Sequence, residues 1–237
     1  MSINFNAGIN PKIVLVDRTR AYPVADLTGL AVALRQYAAL VAEHWGVGCE
    51  SIEFSPTIPA DCWAIVFLDD PDTAGAFGYH DLTAAGLPLS KVFTRVCHEA
   101  GENPSITASH ELAEMLVDPA CNLMAQKPGG VCYAYESADA VEEKPFITLA
   151  GLPLSNFILP AYFEGFRRSG RFDYLGVLKK PFSLAPGGYA SIFKGGKWTQ
   201  IFGSAAKARR FAKEDRRGHR SETRKAGVMK RSRAEKR

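Results

Sequence analysis

The stretch NPSITASHELAEMLVDP, residues 103–119, decides how the rest of the chain is interpreted. Asn103 suits a helix N-cap, and Pro104 suits the first helical position, where a missing N–H costs little. Pro119 ends the helix, because the residue before a proline disfavours the helical backbone conformation. The sequence therefore predicts a helix over residues 104–117.

The predicted helix has two chemically different sides. At about 100° per residue, residues three and four apart share a side. The polar side comprises Thr107, His110, Glu111, Glu114 and Asp118, and the apolar side comprises Ala108, Leu112, Met115 and Leu116. We expect the apolar side to be buried. Two interpretations of the polar side stay open, a metal site or the solvated stripe of an ordinary amphipathic surface helix.

The spacing of the polar groups is typical of a metal site. His110 and Glu114 lie one turn apart, so both can reach the same ion, as the two histidines of an H-E-x-x-H helix do. Glu111 lies beside them, where the general base of a zinc hydrolase takes a proton from water. We predict that His110 and Glu114 bind zinc and that Glu111 is the catalytic base. Because Glu114 replaces the second histidine, the ion would be a weaker Lewis acid, and manganese, magnesium or calcium could replace zinc.

A third ligand is expected from a segment downstream of the helix. Residues 131–143, VCYAYESADAVEE, are predicted to form a short strand followed by Glu136 and Asp139. We choose Glu136 as the third ligand, and Asp139 as a ligand or as a group that orients one; surface carboxylates are the alternative. Asp118 is a competing ligand from the helix itself. His80, on a predicted glycine-rich loop, is a further candidate for contact with the site.

Hydrophobic periodicity predicts the remaining elements. They are strands at residues 12–16, 50–54, 63–68 and about 91–96, a long helix capped by Asp26 and running to about Trp45, and three short strands, YLGVL, GYASIF and WTQIF, after residue 172. Strand 63–68 is apolar enough to be central. We expect an α/β (α+β) domain with a mixed sheet over residues 1–165, a small antiparallel β-meander over 166–203, and a basic tail over 204–237.

The charge of the chain is concentrated in its tail. The net charge is +4, but residues 204–237 carry 14 Lys and Arg against 4 Asp and Glu, whereas residues 1–203 carry 15 against 21. Such a tail buries too little apolar surface to fold alone. We predict non-specific contact with nucleic acid phosphates, the alternative being a solubilising or subunit-contacting tail. The candidate contacts are Arg209, Arg210, Lys213, Arg216, Arg217 and Arg220.

Composition and cysteine usage exclude several classes of protein. The hydrophobic content of 46% supports a real core and excludes a wholly disordered chain. The five cysteines are an odd number without C-x-x-C spacing, and no secretory segment precedes them, which predicts free thiols in a reducing compartment. No run approaches the roughly 18 to 20 apolar residues that span a bilayer. We therefore expect no membrane partner.

Several segments together resemble a group of uncharacterised proteins of tailed phages, prophages and bacteria. They are GYHDLTAAGLPLSKVF, TASHELAEMLVDPACNL, YAYESADAVEE, LSNFILPAYF and FSLAPGGYASIF. The resemblance covers roughly residues 60–200, and its most specific element is S-H-E-x-x-E-x-x-x-D-P followed by Y-E-x-x-D. A more distant similarity, limited to the S-H-E-L-A-E core and a later acidic motif, is to the secreted zincin-like proteins that include the plant EXORDIUM group.

The resemblance implies a zincin-like α/β domain with His110, Glu111, Glu114 and Glu136 at the motif positions. It also implies a phage or prophage origin, and hence the bacterial host cytoplasm or the virion. The first hypothesis is a zinc metallopeptidase that acts on a peptide substrate, although the second histidine of an ordinary zinc peptidase is absent. The alternatives are a non-catalytic virion-associated structural protein whose tail contacts DNA or other subunits, and a fold in which calcium or magnesium is purely structural.

Overall fold

A computed structural model describes residues 10–72, 76–148 and 151–211 as a mixed α/β protein with a mixed sheet and few helices. The strands are β1 Lys12–Asp17, β2 Ser51–Phe54, β3 Trp63–Leu68, β4 Gly78–Leu82, β5 Pro88–Phe93, β6 Met124–Lys127, β7 Val131–Ala134, β8 Phe146–Ile147, β9 Pro153–Leu154, β10 Tyr189–Lys194 and β11 Lys197–Phe202. The helices are α1 Leu27–Trp45, α2 Thr94–Glu99, α3 Pro104–Val117 and α4 Ala205–Phe211, with short 3₁₀ helices at Asp139–Val141 and Pro160–Phe163.

The larger sheet has the strand order β2-β1-β3-β5-β4. The first four of these strands are parallel, and β4 is antiparallel to β5 at the edge. Strand β3 is central, as its continuous apolar sequence predicts. Alternate residues of β1 face opposite sides of the sheet, so that Ile13 and Leu15 join the main core with α1 and α3, whereas Val14 and Val16 join a smaller cluster.

The two long helices end where their capping residues predict. The Asp26 carboxylate accepts a hydrogen bond from the backbone N–H of Gly29 at the start of α1, and Gly46, with φ of 67°, ends that helix. Asn103 caps α3 through the backbone N–H of Ser105, and the helix ends at Val117, as predicted.

The smaller sheet is antiparallel, with the order β11-β10-β7-β6. Strands β10 and β11 form the predicted hairpin, which turns through Gly195 and Gly196 at φ of 57° and 78°. Strand β10 also pairs with β7, which comes from earlier in the chain. The predicted boundary at residue 165 thus falls between strands of one sheet.

Three predicted elements differ from the structure. Residues 174–178 do not form a strand, because the buried Asp173 carboxylate accepts backbone hydrogen bonds from Val177 and Leu178 and folds this segment into a turn. The strand predicted to end near residue 96 stops at Phe93 and is followed by α2. Residues 78–82, predicted to lie in a loop, form edge strand β4 because they pair with β5.

All five cysteines are free thiols, as predicted. Within the described ranges, no helix has both the length and the apolar character needed to cross a membrane.

Candidate metal centre

Helix α3 is buried on both sides. The apolar side packs into the main core, as expected. The polar side is buried too: the exposed fractions of His110, Glu111 and Glu114 are 7%, 3% and 0%. The interpretation of this helix as a solvated surface helix is therefore wrong. Carboxylates are rarely buried in this way unless they are paired or bound to a metal.

Hydrogen bonds from two serines fix α3 against the neighbouring strand β9. The Ser105 hydroxyl donates to the carbonyl of Pro153 at 2.6 Å, and the Ser109 hydroxyl accepts from the backbone N–H of Ser155 at 2.8 Å. Both serines are buried. The rotation of the helix, and with it the direction of its polar side, is therefore set by backbone contacts.

The first group of potential ligands is His110, Glu114 and Asp139, which we call the His110 trio. His110 Nε2 lies 3.4 Å from Glu114 Oε1 and 3.2 Å from Asp139 Oδ1. Asp139 comes from the 3₁₀ helix after β7, and the backbone N–H of Ala138 donates to Glu114 Oε1 at 3.4 Å. Two segments far apart in sequence thus meet at one imidazole.

The second group is His80, Glu111 and Glu114, which we call the His80 trio. His80 Nδ1 lies 3.3 Å from Glu111 Oε2 and 3.2 Å from Glu114 Oε2. His80 is fully buried on β4. In each trio, one potential ligand atom per residue lies within 4.8 Å of the other two. Either group could hold a metal ion, and Glu114 belongs to both.

The charges of this cluster perturb its protonation. Burial opposes the charged form of His110, but the charge of Glu114 and the hydrogen bonds to Asp139 and Glu114 raise its pKa well above the ordinary value. Burial, followed by the charge of Glu114, raises the pKa of Asp139 to about 7. A cation bound at this position would favour the ionised form of Asp139 and so take the place of its proton.

Three buried hydroxyl groups of the described residues lack a hydrogen-bond partner. They belong to Tyr37, Ser137 and Tyr162. Burial and then the charge of Glu114 raise the pKa of Tyr37, while burial, Tyr133 and Asp139 raise the pKa of Tyr162. These two phenols therefore lie near the carboxylates. Buried polar atoms of this kind usually contact a water molecule or an ion.

A cleft with a volume of about 300 Å³ opens beside the two trios. His110 and Glu111 both line it, together with Phe77, Gly78, Glu102, Ile106, Thr107, Glu142, Glu143, Lys144, Pro145, Ser155 and Tyr189. A Cβ added to Gly78 would lie 3.2 Å from Glu111 Oε1, so this oxygen faces the wall of the cleft while Oε2 faces His80. A molecule in the cleft can thus reach His110 and Glu111.

Two carboxylates predicted as ligands, Glu136 and Asp118, belong to neither trio. Glu136 is buried and belongs to neither trio, although its charge contributes to the raised pKa of Asp139. Asp118 accepts hydrogen bonds from the backbone N–H groups of Asn122 and Leu123, both at 3.0 Å, and so holds the turn after α3. Asp139, on the 3₁₀ helix that follows β7, contacts His110 at 3.2 Å.

His80 lies on strand β4 and belongs to a trio, whereas its sequence context predicts a loop position and only contact with the site. The signal that could have placed it is the short segment TAAG, residues 83–86, between two strand-like runs. The backbone N–H of Thr83 donates to Leu87, and Gly86 has φ of 80°, so this segment closes a hairpin between β4 and β5.

The predicted nucleic-acid contacts fall at or beyond the end of the described chain. Arg209 is exposed on α4. The side chain of Arg210 and all of Lys213, Arg216, Arg217 and Arg220 lie outside the described residues.

Comparisons with known proteins find no relative: no family model matches the sequence, and no curated protein or solved structure matches it either.

Proposed function

We propose that this protein is a metal-dependent hydrolase with a zincin-like organisation. In this proposal the His110 trio holds one divalent cation, with zinc as the first choice, and the adjoining cleft binds a peptide. The observation that carries the proposal is the burial of Glu114 and Asp139 in contact with His110, which itself lines the adjoining cleft.

The spacing of the donor atoms supports a metal site. Around a tetrahedral zinc ion with bonds of about 2.1 Å, neighbouring ligand atoms lie roughly 3.4 Å apart. The separations from His110 Nε2 to Glu114 Oε1 and Asp139 Oδ1 are 3.4 and 3.2 Å. One imidazole with two carboxylates is also a ligand set that zinc and manganese accept. The trio therefore needs little rearrangement to hold an ion.

The position of Glu111 supports hydrolysis. The cation, when bound, would act as a Lewis acid and polarise the substrate carbonyl. Glu111 Oε1 faces the cleft, where it can accept a proton from an attacking water molecule and return it to the leaving amine. His80 holds the other oxygen of Glu111, at 3.3 Å, and so orients the carboxylate.

Metal analysis of the purified full chain tests the site. We expect at least one equivalent of zinc or manganese per chain, and loss of the cation from the His110 trio in His110→Ala. His98→Ala, which removes an exposed histidine of α2, is the matched control and should retain the metal. The absence of stoichiometric metal from wild-type protein reconstituted with zinc or manganese would overturn the proposal.

Cleavage of a peptide library tests the activity. Glu111→Gln keeps the His110 trio intact, so we expect it to retain a cation there and to lose cleavage. The loss should be about 100-fold or more, since a positioned general base contributes about 10² to 10⁴ in rate. Glu99→Gln, an exposed change on α2, should cleave as wild type does. Unchanged cleavage by Glu111→Gln would remove Glu111 from the mechanism.

A further inference from the structure

We infer that the centre is dinuclear: a second divalent cation is bound by His80 Nδ1, Glu111 Oε2 and Glu114 Oε2, and Glu114 bridges the two ions. This inference rests on the proposed function, because it adds an ion beside the one held by the His110 trio. It assigns His80 as a metal ligand.

The two carboxylate oxygens of Glu114 face different histidines. Its Oε1 faces His110 Nε2 at 3.4 Å, and its Oε2 faces His80 Nδ1 at 3.2 Å. One carboxylate thus presents each oxygen to a different imidazole. Carboxylates that bridge the ions of two-metal hydrolases, about 3.5–4 Å apart, use their two oxygens in this way.

The His80 contacts are longer than those of a simple ion pair. Charge-assisted N–H···O bonds have lengths of about 2.7–2.9 Å. His80 Nδ1 instead lies 3.3 Å from Glu111 Oε2 and 3.2 Å from Glu114 Oε2, almost equidistant from both. One N–H can be shared between two acceptors only in a three-centre hydrogen bond, whose two contacts are longer and weaker than a direct one. These separations match the edges of a tetrahedral zinc site, roughly 3.4 Å, as those of the His110 trio do.

The buried carboxylates of this region carry a large negative charge when they are ionised. Glu111, Glu114, Glu136 and Asp139 are all at least about nine-tenths buried and carry four negative charges when ionised. Histidines that bind a metal are neutral, so one divalent cation offsets two of these four charges and two divalent cations offset all four. A second cation therefore lowers the mutual repulsion of the carboxylates further than one cation does.

A buried hydroxyl near the shared Glu114 gives an independent indication of a ligand. The hydroxyl of Tyr37 is buried and lacks a hydrogen-bond partner among the described residues, and burial followed by the charge of Glu114 raises its pKa. Glu114 belongs to both trios. A water molecule bound to the second ion would satisfy this hydroxyl.

The second ion is compatible with a catalytic role for Glu111. Its Oε2 faces His80, whereas its Oε1 faces Gly78 and the cleft. Ligation through Oε2 leaves Oε1 able to exchange a proton with a water molecule in the cleft. The same residue can therefore bind one ion and serve the reaction.

Titration of the metal-free full-length chain with manganese(II), followed by electron paramagnetic resonance, tests the inference. Wild type should bind two equivalents and give the signal of an exchange-coupled pair of ions. His80→Asn should bind one equivalent, give the signal of an isolated ion, and bind any second equivalent at least about 100-fold more weakly. His98→Asn is the matched control and should behave as wild type. Circular dichroism of the metal-free variants checks that they fold.

The outcomes separate the two proposals. One equivalent in both wild type and His80→Asn would overturn the second site and leave the first in place. No binding by wild type would overturn both. Two coupled ions in His80→Asn would remove His80 as a ligand and overturn the assignment made here. If His80→Asn does not fold, the wild-type titration still decides, because an uncoupled single ion contradicts a dinuclear centre.

Discussion

The two trios that meet at Glu114 differ in how their residues are brought together. In the His110 trio, His110 and Glu114 belong to one helix, and their contact follows from one turn of α3. In the His80 trio, the histidine lies on edge strand β4 and contacts Glu114 of α3, which is distant in sequence. Local spacing therefore brings His110 and Glu114 together, whereas sheet topology brings His80 to Glu111 and Glu114.

Replacing the shared carboxylate should have the largest effect. Glu114→Gln removes a ligand from both trios, so we expect affinity for zinc or manganese to fall by more than about 100-fold. The metal-free variant should be at least as stable as wild type, because one of several crowded buried charges is gone. Isothermal titration calorimetry and thermal melting measure the two effects, with exposed Glu99→Gln as control. Near-normal metal affinity would contradict the shared role.

Metal removal should destabilise the protein strongly. An ion present at about 1,000 times its Kd stabilises the folded state by roughly 4 kcal/mol, which corresponds to a Tm increase of about 8–16 °C for a chain of this size. We therefore expect EDTA to lower the Tm of wild type by about this amount and to lower the Tm of Glu114→Gln by no more than about a third as much, because an ion at about 10 times its Kd stabilises by only about 1.4 kcal/mol. An equal response of both proteins would show that EDTA acts elsewhere.

The third ligand of the His110 trio is tested by two neighbouring carboxylates. Asp139 contacts His110 at 3.2 Å, whereas Glu136 is in neither trio. Asp139→Asn should weaken metal binding by about 100-fold, and Glu136→Gln by no more than about 10-fold, the lower end of the effects seen for groups that only support a ligand. Titration of both variants under one condition measures the difference. The reverse order would restore Glu136 as the ligand.

Gly78→Ala tests how the His80 trio is positioned. A Cβ there would lie 2.6 Å from Thr107 Cγ2 and 2.7 Å from the carbonyl oxygen of Lys91, so β4 would have to move away from α3. We expect a loss of about 1–3 kcal/mol in the free energy of unfolding and a weaker second metal equivalent, measured by urea denaturation and manganese titration. Gly48→Ala, where the nearest atom is 3.8 Å from the added Cβ, is the matched control and should be near neutral.

Removal of residues 212–237 should have the smallest effect on the centre. Both trios lie within residues 80–139, so metal stoichiometry should stay as in the full chain. If the tail contacts nucleic acid, retention on DNA should fall and lose its salt dependence. Retention that is equal before and after truncation would contradict a DNA-binding tail.

Periodicity in the sequence predicted the elements that form the scaffold. Helix α1 with its Asp26 cap, helix α3, the central strand β3 and the β10–β11 hairpin all follow from local pattern and turn chemistry. His110 and Glu114 were predicted as a pair for the same reason. These features depend on interactions within a few residues, which is why a single sequence reveals them.

The remainder of the site depends on contacts between distant segments. His80 enters because β4 pairs with β5 at the sheet edge, and Asp139, which the 3₁₀ helix after β7 carries, joins His110 and Glu114 in a trio to which Glu136 does not belong. Asp118 points instead into its own turn, where two backbone N–H groups hold it. None of these directions follows from residue type or spacing. The same applies to the sheet that joins β10 to β7 across the predicted domain boundary.

Anomalous diffraction from crystals of the zinc-loaded full chain tests the central claim most directly. If the His110 trio binds zinc, we expect a zinc peak about 2.0–2.2 Å from His110 Nε2 and from one oxygen each of Glu114 and Asp139. Zinc-loaded crystals that keep these three side chains in contact but show no peak among them would contradict it.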